Sequence, residues 1–307
     1  MIERYQIESR DAWLAMRSHD LTASDIGAAI GIDPYKTALQ LYAEKTGEIM
    51  PAGDSNLMRR GRWLESAVLA ALAEEHPSWE IERPKIYLRD AELRLGATPD
   101  ALAATDEPGI TNIQCKVVSK PAYERDWAEG PPLHYVLQTA TEGLLLGAQR
   151  SLLAVLVIDT YSAELYEHPV PRHAGAEGRV QEIAREFWTN IAEGKRPVAD
   201  YERDGETVAA LFPVSRPTPV LSLAGDNRLA ELLPTRAVLK DEIASLTREV
   251  EAIDVEIKDK LGEHEIAELP GWRLSWKTQH RAERIMPASS FRVLRVTDKR
   301  AKEEIAA

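Results

Sequence analysis

One cysteine in 307 residues, Cys115, leaves no partner for an internal disulfide and suits a reducing cytosol. No apolar run reaches bilayer-spanning length; the longest candidate, around 143–158, is interrupted by Gly147, Gln149 and Arg150. Met1 to Trp13 is polar and charged, without the apolar stretch of a secretory leader. His76, His134, His168 and His173 show neither HxxxH nor HxH spacing, which weakens a zinc-hydrolase reading. There is no P-loop and no GxGxxG, which argues against ATP hydrolysis and dinucleotide chemistry. Positive charge is in deficit as well: 38 Lys and Arg against 50 Asp and Glu, a net charge of −12. That argues against a surface coated for nucleic acid. It leaves room for a basic channel in an acidic protein, because screening confines each field to a Debye length of ~8–10 Å.

What the chain does have is periodicity. Residues 9–48 read as three helices: one beginning near Asp11, one from Ile26 to Ile30 after Thr22-Ala-Ser24-Asp25, and one from Thr37 to Lys45. Arg59 to Glu75 reads as a longer amphipathic helix with Leu64, Val68, Leu69 and Leu72 on one face. Glu80–Leu88, Leu93–Ala104 (bent at Pro99) and Gly109–Val118 read as a three-stranded meander. Pro131-Pro132 opens a helix through Leu146, Leu152–Ile158 is a buried strand, Tyr161–Tyr166 is a partner for it, and Val170–Ala192 is a closing helix. This order is that of an α/β protein with a mixed central sheet flanked by helices. Three regions are expected: a main domain over 1–200, a linker or arm over 201–233 holding Pro213, Pro217 and Pro219, and a C-terminal part over 234–307. In the last, Leu239, Ile243, Leu246, Val250, Ile253 and Ile257 alternate at spacings of four and three, a heptad seam of about three repeats. Gly271 to Arg300 then carries eight Lys and Arg against two acidic residues, with Trp272, Trp276 and Phe291 interleaved. It reads as a basic hairpin or tail, contacting DNA or packing its tryptophans inward.

The chemistry concentrates in Ala97-Thr98-Pro99-Asp100 and, fourteen residues on from Asp100, Gln114-Cys115-Lys116. Alternate residues of a strand share a face, so Gln114 and Lys116 project together and a hairpin brings Asp100 beside them. A carboxylate, an amide oxygen and an ammonium meeting at one point suit metal-assisted phosphodiester cleavage. The carboxylate holds a divalent cation, and the ammonium orients water or steadies developing negative charge. Alone, Asp100 is a turn cap; the lysine on the following strand changes its weight. Lys116 lies in the apolar run Ile113–Val118, where an unpaired charge is costly unless the strand is at an edge. Cys115 points to the other face as core, its carbonyl left available to a metal. Gln138, inside an apolar helix, either bonds neighbouring backbone or reaches into the site. Glu65 on the preceding helix is by itself an ordinary surface glutamate.

Taken in order, these segments resemble the YqaJ-like viral recombinase family, the phage lambda exonuclease group in the RecB-like branch of PD-(D/E)XK nucleases. The likeness runs over roughly residues 9–195. Arg17 followed by Leu21-Thr22-Ala23-Ser24-Asp25 resembles the family's arginine and "TAS-acid" segment, and Gly61 to Glu65 its Gly-x-x-x-Glu helix motif. Thr98-Pro99-Asp100, Gln114-x-Lys116 and Pro131-Pro132-x-x-Tyr135-x-x-Gln138 occupy the places of its Pro-Asp turn, Glu-x-Lys strand and glutamine helix. The resemblance implies a restriction-endonuclease-like core and a 5′→3′ double-strand DNA exonuclease of homologous recombination that leaves 3′ single strands. It implies two Mg²⁺ ions, with Mn²⁺ as a substitute, held by Glu65, Asp100, Gln114 and the Cys115 carbonyl. Lys116 and Gln138 would position the attacking water, and Arg17 and Ser24 would grip the 5′-phosphate. A ring-shaped homotrimer, a single-strand annealing partner and a bacterial cytoplasmic setting of phage or prophage origin follow from the same likeness. Two positions depart from the pattern. Gln114 stands where the family has glutamate, and Ala122 where lambda-like enzymes carry a phosphate-binding arginine, with Lys120 nearby as a substitute. The glutamine keeps open a weakened or inactive DNA-end-binding or recruitment protein on the same fold; a structure-specific endonuclease is the third reading.

Overall fold

The computed structural model describes residues 1–51, 53–215, 219–283, 288 and 290–298, so Pro217 and part of the basic segment 271–300 lie outside the described residues. The chain divides into two units, Met1–Pro213 and Val214–Ala307. In the first, β1 (Ile2–Gln6) precedes α1 (Arg10–His19), which Ser9 caps by accepting from the Ala12 N–H. After β2 (Leu21–Thr22) a 3-10 turn, Ala23–Asp25, leads into α2 (Ile26–Ala29). Next come α3 (Ala38–Lys45), capped by Thr37, and α4 (Asn56–Glu75), capped by Ser55. Then follow β3 (Glu80–Glu82), β4 (Ile86–Asp90), β5 (Leu95–Ala97), β6 (Ala101–Ala104) and β7 (Ile110–Ser119). The unit closes with α5 (Lys120–Asp126), α6 (Leu133–Leu146), β8 (Arg150–Ile158), β9 (Ala163–Val170), α7 (Ala174–Ala192) and α8 (Gly205–Leu211).

The strands form a five-stranded sheet ordered β3-β6-β7-β8-β9 and a four-stranded sheet ordered β1-β4-β5-β2. In the larger sheet β7 and β8 run parallel, joined through α5 and α6, while the other pairs are antiparallel. This is the expected α/β architecture, a mixed sheet between helices. The alternation along β7 sorts its side chains. Ile113 and Cys115 pack with Val68, Leu69 and Leu72 of α4, whereas Gln114 and Lys116 face the side on which Leu153, Val155, Tyr135 and Val136 pack.

Three features differ from the sequence expectation. The meander is divided between the two sheets. Pro84 separates β3 from β4 and Pro99 separates β5 from β6; a proline has no N–H to continue a ladder, so each run breaks there and its halves pair with different strands. The stretch 201–233 is not an extended arm throughout, since it contains α8 and the start of the helix that follows. Asp204, preceding α8, is buried and accepts from the Thr37 hydroxyl at 2.5 Å, which ties α8 to the start of α3. The heptad helix begins ahead of Pro234: α9 spans Asn227–Leu261, capped by Asp226, with the proline inside it.

In the second unit, α9 is followed by an antiparallel hairpin of β10 (Ile266–Leu269) and β11 (Trp272–Ser275), turning at Gly271 with φ of 81°. Trp272 and Trp276 are exposed rather than packed inward.

Candidate active site

The bend between β5 and β6 sets Asp100 against β7. Its Oδ2 accepts the Cys115 backbone N–H at 2.9 Å and the Gln114 side-chain amide. From the same face of β7, Lys116 Nζ donates to Gln138 Oε1 on α6 at 3.1 Å and stands 5.0 Å from the Tyr135 ring centre. Gln138 Nε2 donates in turn to Gln114 Oε1 and to Glu142 Oε1, each at 3.0 Å. Asn112, one period back along β7, points its Nδ2 at Glu142 Oε2, 3.5 Å away, and at the Thr139 carbonyl, 3.2 Å away.

The chain of bonds has only one polarity. An ammonium donates and cannot accept, so Lys116 fixes the carbonyl end of Gln138 toward itself. The Gln138 NH₂ is then directed at Gln114 and Glu142, which turns the Gln114 oxygen to Gln138 and its nitrogen to Asp100. Gln114 is 3% exposed and Glu142 1%; the Gln114 amide has its partners within the protein, whereas the buried Asn112 Oδ1 has none.

Burial sets the electrostatics. It pushes Asp100 up to about 6, with the Glu65 charge adding to the rise and Lys116, the Cys115 N–H and Arg83 opposing it. Burial, with Asp100 adding, raises Glu142 to about 8 against Lys116, Gln138 and Asn112. The Cys115 thiol is also pushed up, chiefly by burial. It is a core residue rather than a nucleophile. Glu65 comes from α4, where it accepts from the Arg83 guanidinium.

A second cluster adjoins the bend. Trp13 Nε1 donates to Thr98 Oγ1 at 2.9 Å, and the Arg17 guanidinium lies 4.6 Å from the Trp13 ring centre. Arg17 also donates to Ser24 Oγ at 2.9 Å and Thr22 Oγ1 at 3.3 Å. Behind them Asp25 is buried; the attraction of Lys45, Lys36 and Arg17 outweighs its desolvation and holds its carboxyl well below the usual range. Arg17 and Ser24 are therefore together, joined through Trp13 to the turn that carries Asp100. Lys120 opens α5, where it borders a pocket of about 180 Å³ with Tyr123, Trp127 and Tyr166.

Asp100, Glu65 and the Cys115 carbonyl have the oxygen chemistry that a hard divalent cation takes. Gln114 in this arrangement offers Asp100 a nitrogen. Among the described residues no cluster of three or more His, Cys, Asp or Glu side chains is arranged to hold a metal ion.

Comparison with known proteins bears on the same segments. Residues 12–143 match the family model of the YqaJ-like viral recombinase domain, a span from the Trp13–Arg17 cluster to Glu142. This part of the chain is similar to the YqaJ-like viral recombinase domain. Over 276 residues the chain is 23% identical to the uncharacterized protein YqaJ of Bacillus subtilis (strain 168), covering 88% of this chain and 83% of that protein. A crystal structure of an alkaline exonuclease from Laribacter hongkongensis aligns with a TM-score of 0.47 at 15% identity, over 65% of this chain and 100% of that one. A SOX–DNA complex aligns with a TM-score of 0.40 at 12% identity, over 60% of this chain and 68% of that one. In the matched segment the residues that sequence reasoning passed over are Glu142, Asn112, Arg83 and Trp13. Glu142 had a signal, since it stands four residues after Gln138 on the same helical face. The Trp13–Thr98 bond spans 85 positions and had none.

Proposed function

We propose that the chain is a Mg²⁺-dependent 5′→3′ double-strand DNA exonuclease of phage-type recombination, resecting linear ends to leave 3′ single strands. What carries the reading is the meeting of Asp100, Lys116 and Gln138 around Gln114 inside a YqaJ-like domain. Asp100, Glu65 and the Cys115 carbonyl would hold magnesium, which when bound would supply charge to neutralise a phosphoryl oxygen and acidify water. Lys116, held by Gln138, directs its ammonium toward the attacking water and the phosphate. Arg17 and Ser24 receive the 5′-phosphate, a role suited to a guanidinium beside a hydroxyl. Mn²⁺ in place of Mg²⁺, a ring-shaped homo-oligomer, a single-strand annealing partner and action in a bacterial cytoplasm belong to the same proposal.

The test is linear duplex with 5′-phosphate ends, with and without Mg²⁺. Duplex loss that needs Mg²⁺ and falls by about 10²–10⁴ in Lys116→Ala supports the reading. Cutting of covalently closed circles points to an endonuclease instead. A second reading, DNA-end binding without turnover, is favoured by one observation: the Gln114 nitrogen, not its oxygen, faces Asp100. It predicts end binding with no loss of duplex in any divalent metal, and turnover on Gln114→Glu.

A further inference from the structure

Helix α9 is 35 residues long and carries an apolar seam that is largely exposed among the described residues. Leu239, Ile243, Leu246, Val250 and Ile253 are each between 52% and 60% exposed. Their spacing assigns Ile243, Val250 and Ile257 to the a positions of a heptad and Leu239, Leu246 and Ile253 to the d positions. A single helix with such a seam is completed by a second helix packing along it.

The residues beside the seam determine which helix fits. One flank carries Glu242, Glu249 and Glu256 at successive g positions; the other carries Lys240, Thr247 and Asp254 at e. Glu256 also pairs with Lys260 within the helix. In a parallel pair g faces the partner's e, so self-association sets Glu249 against Asp254. In an antiparallel pair g faces g, so the glutamate row meets itself. Arg236, at the a position ahead of Ile243, would also meet its own copy in a parallel in-register pair. Either direction of self-pairing opposes like charges, and flanking charges are what select coiled-coil partners.

We infer that the α9 seam is a docking face for an amphipathic helix of another protein whose flanking positions are basic. Such a helix covers the five exposed apolar residues and sets Lys or Arg along the glutamate row. The inference does not depend on the nuclease reading.

The test uses the full chain and two synthetic helices of about four heptads with the same Ile and Leu seam, one flanked by Lys and one by Glu. The Lys-flanked helix is expected to bind at least about tenfold more tightly by fluorescence anisotropy, with the difference shrinking in high salt. Glu242→Lys, Glu249→Lys and Glu256→Lys together should reverse the preference. Leu246→Asp with Val250→Asp should abolish binding while leaving the mass of the chain in sedimentation unchanged. Both changes fall on exposed positions, so folding is retained, and the charge-reversed variant provides an independent arm. If the double Asp variant lowers the mass, a second copy of the chain is the occupant and the inference fails. It fails equally if the two helices bind alike or neither binds.

Discussion

Replacing Glu142 by glutamine should make the protein more stable at pH 8 than the parent, relative to their difference at pH 5. Glu142 is 1% exposed, and its carboxyl is raised from 4.5 to about 8, first by burial and then by Asp100. Between those two values the native state holds a proton that the unfolded chain has released. Fewer protons are bound in the unfolded state, so stability falls as pH rises through the window and is greatest below it. Each pH unit costs about 1.4 kcal/mol, which bounds the whole window at about 5 kcal/mol. Sharing of the proton with Asp100, itself raised to about 6, spreads the titration and brings the expected loss to about 2–4 kcal/mol. Glutamine does not titrate, and its carbonyl can still accept from Gln138. Urea unfolding of both proteins at pH 5, 6.5 and 8 reads the difference directly. Parallel stability curves across that range would show that Glu142 carries no retained proton, and the argument from burial would fail.

Gln114→Glu should lower the melting temperature without divalent ions, because an acid then faces Asp100 Oδ2 in place of an amide donor, a loss of about 1–3 kcal/mol. Mg²⁺ should restore more of it than it adds to the parent, a comparison made by calorimetry. Arg17→Ala should remove the preference for 5′-phosphorylated over 5′-hydroxyl ends. A charge-assisted bond of about 1.5–3 kcal/mol corresponds to roughly 10–150-fold in competition binding. Gly96→Ala should destabilise by about 1–3 kcal/mol in thermal unfolding. The added Cβ would press on the hydroxyl and ring of Tyr87, which donates to Asp20 at 3.1 Å.

The larger sheet and its helices were legible where periodicity was long and unbroken. Glu80–Glu82 aside, the strands that build the site lie in apolar runs bounded by turn residues, and α6 carries its own boundaries in Pro131-Pro132 and the left-handed Gly147. The period of two along Gln114-x-Lys116 placed both on one face without coordinates. Other parts were hidden for physical reasons. Strand β1, Ile-Glu-Arg-Tyr-Gln, is an exposed sheet edge and has too few apolar residues to announce itself. Helix α5 is seven residues with a proline at its second position, too short for a helical period to register. The split of the meander depended on which partners Pro84 and Pro99 allow, a long-range pairing choice. The orientation of the Gln114 amide was beyond any pattern, because it is dictated by Lys116 acting through Gln138.

That orientation gives the departure from the family pattern a physical meaning. The connected polar groups hold one ammonium, Lys116, together with the acids Asp100 and Glu142, while Glu65 is answered by Arg83. A glutamate at 114 would set a carboxylate against Asp100 and leave the Gln138 NH₂ between two acids. Without a cation, like charges would then confront one another in a buried space. With glutamine, Asp100 receives a donor, Gln138 finds an acceptor on each side, and Glu142 is kept neutral by its proton at ordinary pH. The amides of Gln114 and Gln138 are therefore paired without metal, while the buried Asn112 Oδ1 beside Glu142 accepts no hydrogen bond. On the proposed function, a cation beside Asp100 that drew on the Gln114 oxygen would turn that amide away from Gln138, which would also loosen the partner that holds Lys116. The proposed metal site would thus be coupled to lysine placement through two amides, so Gln138→Leu should weaken the effect of Mg²⁺ on Lys116 chemistry as well as on stability. A Mg²⁺ response unchanged by that substitution, in both calorimetry and strand cleavage, would separate the two and refute the coupling.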